Sequence, residues 1–449
     1  MDGQHPSPRD AGCPLYDDEF ATDPQRVYER VRARGPAGPV QLAPGVDATL
    51  VVGHGTALEV LRDPTLFVRD ARRWTALNEG RVSADSPVLP MMAYRPNCLF
   101  SDGAAHLRLR KAVTESLARL STTRIHRDVE PVAAYLIGRF GARGHADLID
   151  EYARLLPLLL FNKFFDCPAD IGDTVTTAMS AVFDGHDVLR ADQDLTACLA
   201  ELVALKRLRP GDDVTSWLIR HPAALTDDEL TDQLVMLLGA SVEPERNLIG
   251  NALLLLLSDR GSSGAGLLVD EAVDRVLWND PPLANYATHY PVREVDLGGV
   301  TVAAGTPVLI SFAGANSDPA LAEARRGYHA GAHLAWGAGP HACPVRDPAR
   351  AIATTAVETL LNALPDLALA VPAERLRRRP GPFHRALATL PVRFSPVPSV
   401  RTASVPRDRA ATAATAAEEP RPTACATPEG RHTALRKGFW SGFLDMFRS

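Results

Sequence analysis

A lone cysteine, Cys343, ends a glycine-rich loop, "LAWGAGPHAC", and the segment "AIATTAVETLLNAL" that follows has the pattern of a helix. A thiolate persists as a metal ligand or nucleophile only where a metal, a cation or a helix N-terminus lowers the pKa of its sulfur. The glycines permit tight turns that bring backbone amides towards that sulfur. Three roles are open at this point: a nucleophile with His341 as its neighbour, a metal ligand, and a buried structural cysteine.

The cysteine loop resembles the haem-binding loop of the cytochromes P450, whose pattern is F-G-x-G-x-H-x-C-x-G. The positions that carry the resemblance are Trp336 (the aromatic position), Gly337, Gly339, His341 and Cys343. The resemblance implies that Cys343 is the axial thiolate of a haem iron, where it would donate electron density to the metal.

Two further segments resemble the same family and follow the family's order along the chain. "DGAAHLRLRKAV" (102–113) resembles the C-helix, which implies that His106 and Arg110 contact the haem propionates. Their spacing of four residues places both side chains on one face of a helix. "GASVEPERNLIGNAL" (239–253) resembles the oxygen-binding helix.

The resemblance covers residues 14–397 and implies the cytochrome P450 fold, mainly α with a small β-rich subdomain. It implies haem b (iron protoporphyrin IX) as the cofactor, with His333 as a further contact and with His289 where the family usually has an arginine. The implied activity is that of a monooxygenase, which inserts one oxygen atom from O2 into an apolar small molecule. The implied electron donor is a ferredoxin-type partner.

The segment that resembles the oxygen-binding helix departs from the family's pattern of an acid followed by an alcohol. Glu243 occupies the position of the acid, whereas Pro244 replaces the alcohol and has neither a hydroxyl nor an N–H group. A kink at Pro244 could leave a carbonyl and space for water, through which Glu243 would still deliver protons. Ser241 is a further candidate hydroxyl. The alternative for Glu243 is an ion-paired helix residue with no catalytic role.

A second departure lies in the helix that precedes the predicted hairpin, where the family has E-x-x-R. Arg275 stands in the position of the glutamate and Trp278 in that of the arginine, so the usual ion pair cannot form. In this the chain resembles a minority of actinobacterial P450s with an altered E-x-x-R motif. The two departures leave open a different class of protein, a catalytically impaired P450-like haem-binding regulatory or scaffold protein that acts through protein partners.

The hydrophobic pattern predicts the strands that surround the cysteine loop. Residues 48–54 have the pattern of a strand. Residues 293–316 predict a hairpin that turns at Gly298 and Gly299, and then a strand after Gly305.

Helical periodicity predicts the elements that carry the other site residues. Residues 226–259 predict one long central helix, which opens with a capping box formed by Thr226 and Glu229. Residues 105–120 predict a helix with a buried stripe of Leu107, Val113 and Leu117.

The composition changes sharply near the C-terminus and predicts four parts of the chain. They are a flexible N-terminus (1–13), the haem domain (14–397), a disordered linker (398–431) and an amphipathic C-terminal helix (432–449). An aromatic and aliphatic stripe recurs every four residues in the last part, at Leu435, Phe439, Phe443 and Phe447. This stripe predicts either docking on the parent domain or recognition of a partner, a protein or a membrane surface.

Charge and cysteine spacing limit the remaining classes. The formal net charge is −6 and no basic run occurs, which argues against binding of nucleic acid. The six cysteines are scattered without C-x-x-C spacing, which argues against a disulfide framework or a structural zinc site. No secretion signal or membrane-spanning run is evident, so we expect a cytoplasmic protein with no transmembrane segment.

Overall fold

The computed structural model describes residues 12–184, 187–259, 266–326, 332–398 and 439–448. The predicted flexible N-terminus, up to residue 11, and the predicted linker, from residue 399, lie outside the described residues.

Helices dominate the described part of the chain. In order they are α1 (Asp18–Thr22), α2 (Pro24–Arg32), α3 (His54–Arg62), α4 (Thr75–Asn78), α5 (Leu89–Met92), α6 (Gly103–Leu117), α7 (Thr122–Phe140), α8 (Leu155–Phe164), α9 (Ala169–Asp184), α10 (Val188–Leu208), α11 (Val214–Ile219), α12 (Asp227–Asp259), α13 (Val269–Asn279), α14 (Phe312–Asn316), α15 (Ala322–Arg326), α16 (Arg346–Ala363) and α17 (Phe439–Arg448).

The strands are short and form three small sheets in the described part of the chain. They are β1 (Cys13–Pro14), β2 (Ala37–Ala43), β3 (Val46–Val51), β4 (Phe67–Val68), β5 (His145–Asp147), β6 (Asn285–Pro291), β7 (Val295–Asp296), β8 (Thr301–Val302), β9 (Val308–Ser311), β10 (Ala368–Leu369) and β11 (Pro391–Arg393). The largest sheet has the order β1-β2-β3-β9-β6-β4, and smaller sheets have the orders β10-β11-β5 and β7-β8. The fold is mainly α with a small β-rich part, as predicted.

The predicted hairpin is present as β7 and β8, which pair Val295 with Val302 in antiparallel register. Its turn contains Gly298 and Gly299, with φ of +66° and +92°. These backbone conformations strongly favour glycine. The next strand, β9, begins after Gly305 and pairs in parallel with β3.

Helix α12 crosses the centre of the fold and packs against α8, α10, α13 and α16. Its N-terminus has the predicted capping box: the Glu229 amide donates to Thr226 Oγ1 (3.2 Å), and the Thr226 amide donates to Glu229 Oε2 (2.9 Å). Both orphan amides are thereby satisfied. Pro244 lies inside the helix without ending it.

Helix α6 forms where predicted, but its buried stripe differs in one residue. Val113 and Leu117 are buried, whereas Leu107 is 67% exposed and Leu109 occupies the buried face instead. The expectation for Leu107 is therefore wrong. A helix face is set by the packing of its neighbours as well as by its sequence, and a three-residue stripe does not fix it.

Helix α17 docks on the parent domain through aromatic side chains. Trp440 and Phe443 are buried. The Trp440 indole N–H donates to the Cys167 carbonyl (2.9 Å), and its backbone N–H donates to Asp173 Oδ1 (2.8 Å). A Cβ at Gly172 would lie 2.1 Å from the Trp440 ring, so this glycine makes room for the indole.

We expect Trp440→Ala to lower the free energy of unfolding by about 3 kcal/mol, since a buried Trp truncated to Ala leaves a cavity. Ser441→Ala is the control, because it removes only the hydroxyl bond to Asp173 and costs about 1 kcal/mol. Thermal unfolding of the haem-loaded protein measures both. Removal of residues 439–449 sets the upper limit of the loss, and an unchanged melting temperature for Trp440→Ala would contradict the docking.

None of the helices described in the structure is long and apolar enough to cross a membrane.

Candidate functional site

The cysteine loop is held by tight turns ahead of α16. The Gly337 amide donates to the Leu334 carbonyl and the Cys343 amide to the Trp336 carbonyl, both at 2.8 Å. Gly337 and Gly339 have φ of +67° and +69°, in the left-handed region that favours glycine. The loop therefore depends on its glycines, and it ends with the sulfur close to the start of α16.

Protein groups alone do not lower the pKa of Cys343. Burial raises this pKa, and it outweighs the hydrogen bond from the Val345 amide and the charges of Arg110 and Arg346, while Glu245 raises the pKa further. A metal ion bound to the sulfur would supply the missing positive charge.

The middle of α12 contains an exposed stretch. Residues 239–241 are exposed although residues 238 and 242 are buried. A Cβ at Gly239 would meet nothing within 4 Å. Because Pro244 has no N–H, the Ala240 carbonyl loses its usual partner in the helix. Ser241 Oγ donates to the Leu238 carbonyl at 3.3 Å.

Glu243 belongs to an ion-pair network rather than to this exposed stretch. Its carboxylate accepts hydrogen bonds from Arg246 (3.1 Å), Arg379 (3.3 Å) and Asn247 (3.4 Å). Burial alone would raise the pKa of Glu243, but the charges of His384, Arg379 and Arg246 more than offset it and lower that pKa. This geometry matches the second role considered for Glu243, that of an ion-paired helix residue. A catalytic role for Glu243 stays a prediction.

Glu245, which the sequence did not single out, is the acid whose charge raises the pKa of Cys343. Its carboxyl is buried, its Oε1 atom has no hydrogen-bond partner, and burial raises its pKa well above the ordinary value. Its charge acts on the pKa of Cys343, so this face of α12 lies within electrostatic range of the cysteine. The sequence signal was weak, because the position follows the proline and matches no acid in the family pattern.

Basic side chains converge beside the loop. The rings of His106 and His341 lie with their centroids 4.0 Å apart, and the Arg110 guanidinium donates to the Ala342 carbonyl. His289 is buried, with its Nδ1 atom 2.5 Å from the Ala287 carbonyl. The structure therefore brings three segments of the predicted haem-binding set together.

A further cation, Arg69, lies with these side chains. His106, Arg110, His289, His341 and Arg69 together form the basic group. It is 3% exposed, and its charge contributes to the lowered pKa of His106, His289 and His341. Burial is the larger cause for each histidine, and it lowers the pKa of His106 to about 4 and that of His289 to about 3. These two rings are neutral at neutral pH. No motif marked Arg69 in the sequence.

His333 has different neighbours from the other histidines. It is buried edge-to-face against Trp278, with ring centroids 5.7 Å apart, and burial lowers its pKa to about 4. The pair of Asp274 with Arg350, which joins α13 to α16, lies close enough to act on that pKa. His333 is therefore not part of the basic group, and its predicted contact with haem stays a prediction.

The residues fit a haem with two carboxylates. His106 Nε2 and Arg69 Nη1 are buried without a hydrogen-bond partner. Propionate oxygens would satisfy both atoms, and an unmade hydrogen bond in a buried position is costly. Cys343 would hold the iron through its sulfur.

We expect Gly339→Ala to reduce haem content to a small fraction of the wild-type level. The added Cβ would lie 2.0 Å from the Leu61 carbonyl oxygen, so the loop could not close on α3. Gly337→Ala is the matched control, since its φ is nearly the same but its nearest contact is 3.7 Å away. It costs only the left-handed strain of about 1–2 kcal/mol. Equal haem absorbance in the two purified variants would contradict the steric argument.

This fold and site define a class, the haem-thiolate proteins, and comparison with known proteins identifies the family. PikC, a cytochrome P450 monooxygenase from Streptomyces venezuelae, is 32% identical over 396 residues, which are 84% of this chain and 92% of PikC. The 6-deoxyerythronolide B hydroxylase from Saccharopolyspora erythraea is 28% identical over 408 residues, 85% of this chain and 98% of that protein. The chain belongs to the cytochrome P450 family.

Comparison with solved structures gives the same family. CYP154C4 from Streptomyces sp. ATCC 11861 superposes with a TM-score of 0.76 at 26% identity, over 86% of this chain and 98% of that one. No family model matches the chain. The chain is thus a cytochrome P450 monooxygenase with the P450 fold and with haem b as its cofactor.

Proposed function

We propose that this protein inserts one oxygen atom from O2 into an apolar small molecule, with electrons from a ferredoxin-type partner, in the cytoplasm. The observation that carries the proposal is the exposed stretch of α12, residues 239–241, on the helix whose Glu245 acts on the pKa of Cys343. The haem supplies oxygen activation when bound, with a thiolate ligand favouring O–O cleavage.

An apolar substrate suits the residues that precede the exposed stretch. Val235, Met236 and Leu237 are only partly buried, although they lie on the central helix. Pockets for small molecules are mostly apolar, with a few polar groups that fix orientation. Ser241 and the Ala240 carbonyl are polar groups that follow this apolar segment along the helix.

Proton delivery would not use an alcohol in the usual position, because Pro244 stands there. We propose that water held by the Ala240 carbonyl and Ser241 Oγ takes this part. Glu243 would influence this water by its charge, since Arg246 and Arg379 keep its carboxylate ionised and in place.

A ferredoxin-type donor suits the surface around the cysteine. The exposed side chains there include Leu107 and Lys111 of α6 and Arg346 at the start of α16. Lys111 and Arg346 are each paired with an exposed acid, Glu115 and Asp347, so the apolar Leu107 and the donors of these side chains, more than net charge, would contact such a partner. The C-terminal helix is a poorer surface for a protein partner, because Trp440 and Phe443 are buried within this chain.

The alternative, an impaired haem-binding scaffold, is less well supported. The relatives compared above are a monooxygenase and a hydroxylase. The altered E-x-x-R position has a substitute contact between the same region and α16, since Asp274 pairs with Arg350. Loss of the usual ion pair therefore does not by itself argue for loss of turnover.

Reconstitution with a ferredoxin, its reductase and NAD(P)H tests the proposal. We expect apolar compounds to shift the spin state of the ferric protein and to raise NAD(P)H consumption, with a product heavier by one oxygen atom. A parallel reaction with hydrogen peroxide and no ferredoxin detects a peroxygenase. A protein that binds haem but neither is reduced nor responds to any compound, and that forms no product with peroxide, would support the scaffold instead.

A further inference from the structure

We propose that Arg69 binds a haem propionate and takes the place of the arginine that the family has at the position of His289. The inference rests on the haem site proposed above and adds to it a residue from a segment, just after β4, that no motif marked. Three features of the structure carry it: a buried and unpaired guanidinium nitrogen, a backbone fixed to α6, and the charges of the group.

The Arg69 guanidinium has donors that no acceptor satisfies. Its Nε atom donates to the Leu99 carbonyl at 3.2 Å, and its Cζ atom lies 5.8 Å from the centre of the Tyr286 ring. Its Nη1 atom is buried and has no hydrogen-bond partner. Within the residues that the structure describes, no carboxylate forms an ion pair with this guanidinium. Burial of an unpaired cation is costly, which indicates that an anionic ligand completes the site.

The backbone at Arg69 is fixed to the helix that carries His106 and Arg110. The Asp102 carboxylate, directly before α6, accepts hydrogen bonds from the amides of Arg69 (2.9 and 3.0 Å) and Asp70 (3.0 Å). Asp102 thereby satisfies two amides and holds the β4 exit against the start of α6. Its carboxylate accepts from these two amides and forms no ion pair with the guanidinium, although its charge acts on the pKa of Arg69.

The charges of the group require a second cation. Two propionates carry two negative charges, and Arg110 supplies one positive charge. His289 stands where the family has an arginine, but its ring is buried and neutral, as is that of His106. These rings can share hydrogen bonds with the propionates, whereas a guanidinium brings a full positive charge. Arg69 supplies the second charge, and a guanidinium remains protonated in such a site.

Haem loss tests the proposal directly. We expect Arg69→Met to release haem to apomyoglobin about tenfold faster or more, since one charge-assisted hydrogen bond is lost, while Arg69→Lys recovers part of the loss. The matched control is Arg378→Met, which removes another buried arginine, bound to Asn251 and Asp280, from outside the basic group. It should lower the melting temperature without changing the haem release rate of the folded protein.

Esterified haem separates a propionate contact from a structural role. In the wild type, haem dimethyl ester should bind more weakly than haem, and in Arg69→Met this difference should shrink, because the two changes remove the same interaction. Additive penalties, or an unchanged release rate in Arg69→Met, would overturn the inference while leaving the haem site intact. Failure of the wild-type protein to bind haem through Cys343 would instead overturn the proposed function.

Discussion

Replacing Cys343 with serine is expected to abolish the red-shifted Soret band of the ferrous carbon monoxide complex. That band requires a thiolate on the iron, and a serine hydroxyl is a much weaker ligand with a far higher pKa. We expect the variant to lose product formation as well, because the thiolate that favours O–O cleavage is absent. Spectra of the haem-loaded variant with dithionite and carbon monoxide measure the effect.

Cys98→Ser is the matched control for this experiment. Cys98 is the other cysteine close to Arg110, and it is buried, with its pKa raised chiefly by burial and lowered in part by that arginine. A serine there should cost some stability but leave the red-shifted band in place. Loss of the band in Cys98→Ser together with its retention in Cys343→Ser would contradict our assignment, because Cys98 would then be the iron ligand.

The elements with strong local signals could be predicted from the sequence. The capping box at Thr226 and Glu229 and the glycine turn at Gly298 and Gly299 act through nearby backbone, so their outcome depends little on the rest of the fold. The cysteine loop likewise needs glycine at fixed positions. Leu107 shows the opposite case, since the choice between it and Leu109 depends on what packs against α6.

Within the site, the sequence could predict residues that belong to motifs but could not identify partners from distant segments. Arg69 has no motif, and only the packing of the β4 exit against α6 makes it a buried, unpaired cation. The carboxylate of Asp274 was available to several arginines, and the fold selects Arg350. The pKa of Cys343 depends on burial by the whole domain, which local helix position does not reveal.

Glu243→Gln is expected to lower the free energy of unfolding by about 3 kcal/mol at neutral pH. The change leaves Arg246 buried without a negative partner, and removing one member of a buried pair is strongly destabilising. Glu245→Gln is the matched control two positions away. Because burial already holds the pKa of the Glu245 carboxyl well above its usual range, an amide replaces a neutral group there and should cost little.

The deficit of Glu243→Gln should depend on pH in one direction. The folded protein lowers the pKa of Glu243, so its carboxylate stabilises the fold at pH values above its unfolded pKa of about 4.3. That contribution is lost as the pH falls through the lower, folded value. The difference between wild type and Glu243→Gln should therefore be constant from neutral pH down to about pH 5 and shrink below it. Urea unfolding at several pH values measures it, and a deficit that grows in acid would contradict the ion-pair assignment.

A double variant separates the structural role of Glu243 from proton delivery. Replacing Glu243 and Arg246 together by leucine removes both charges, and an apolar pair of similar volume is often as stable as the buried ion pair. If Glu243 acts only by holding Arg246, turnover lost in Glu243→Gln should recover in the double variant, because Arg246 is no longer buried without its partner. If its carboxylate transfers protons, stability should recover while turnover stays low and NAD(P)H consumption continues without product. Stability and turnover diverge only when the carboxylate takes part in the chemistry. The double variant therefore distinguishes the two roles of Glu243, which the single substitution does not.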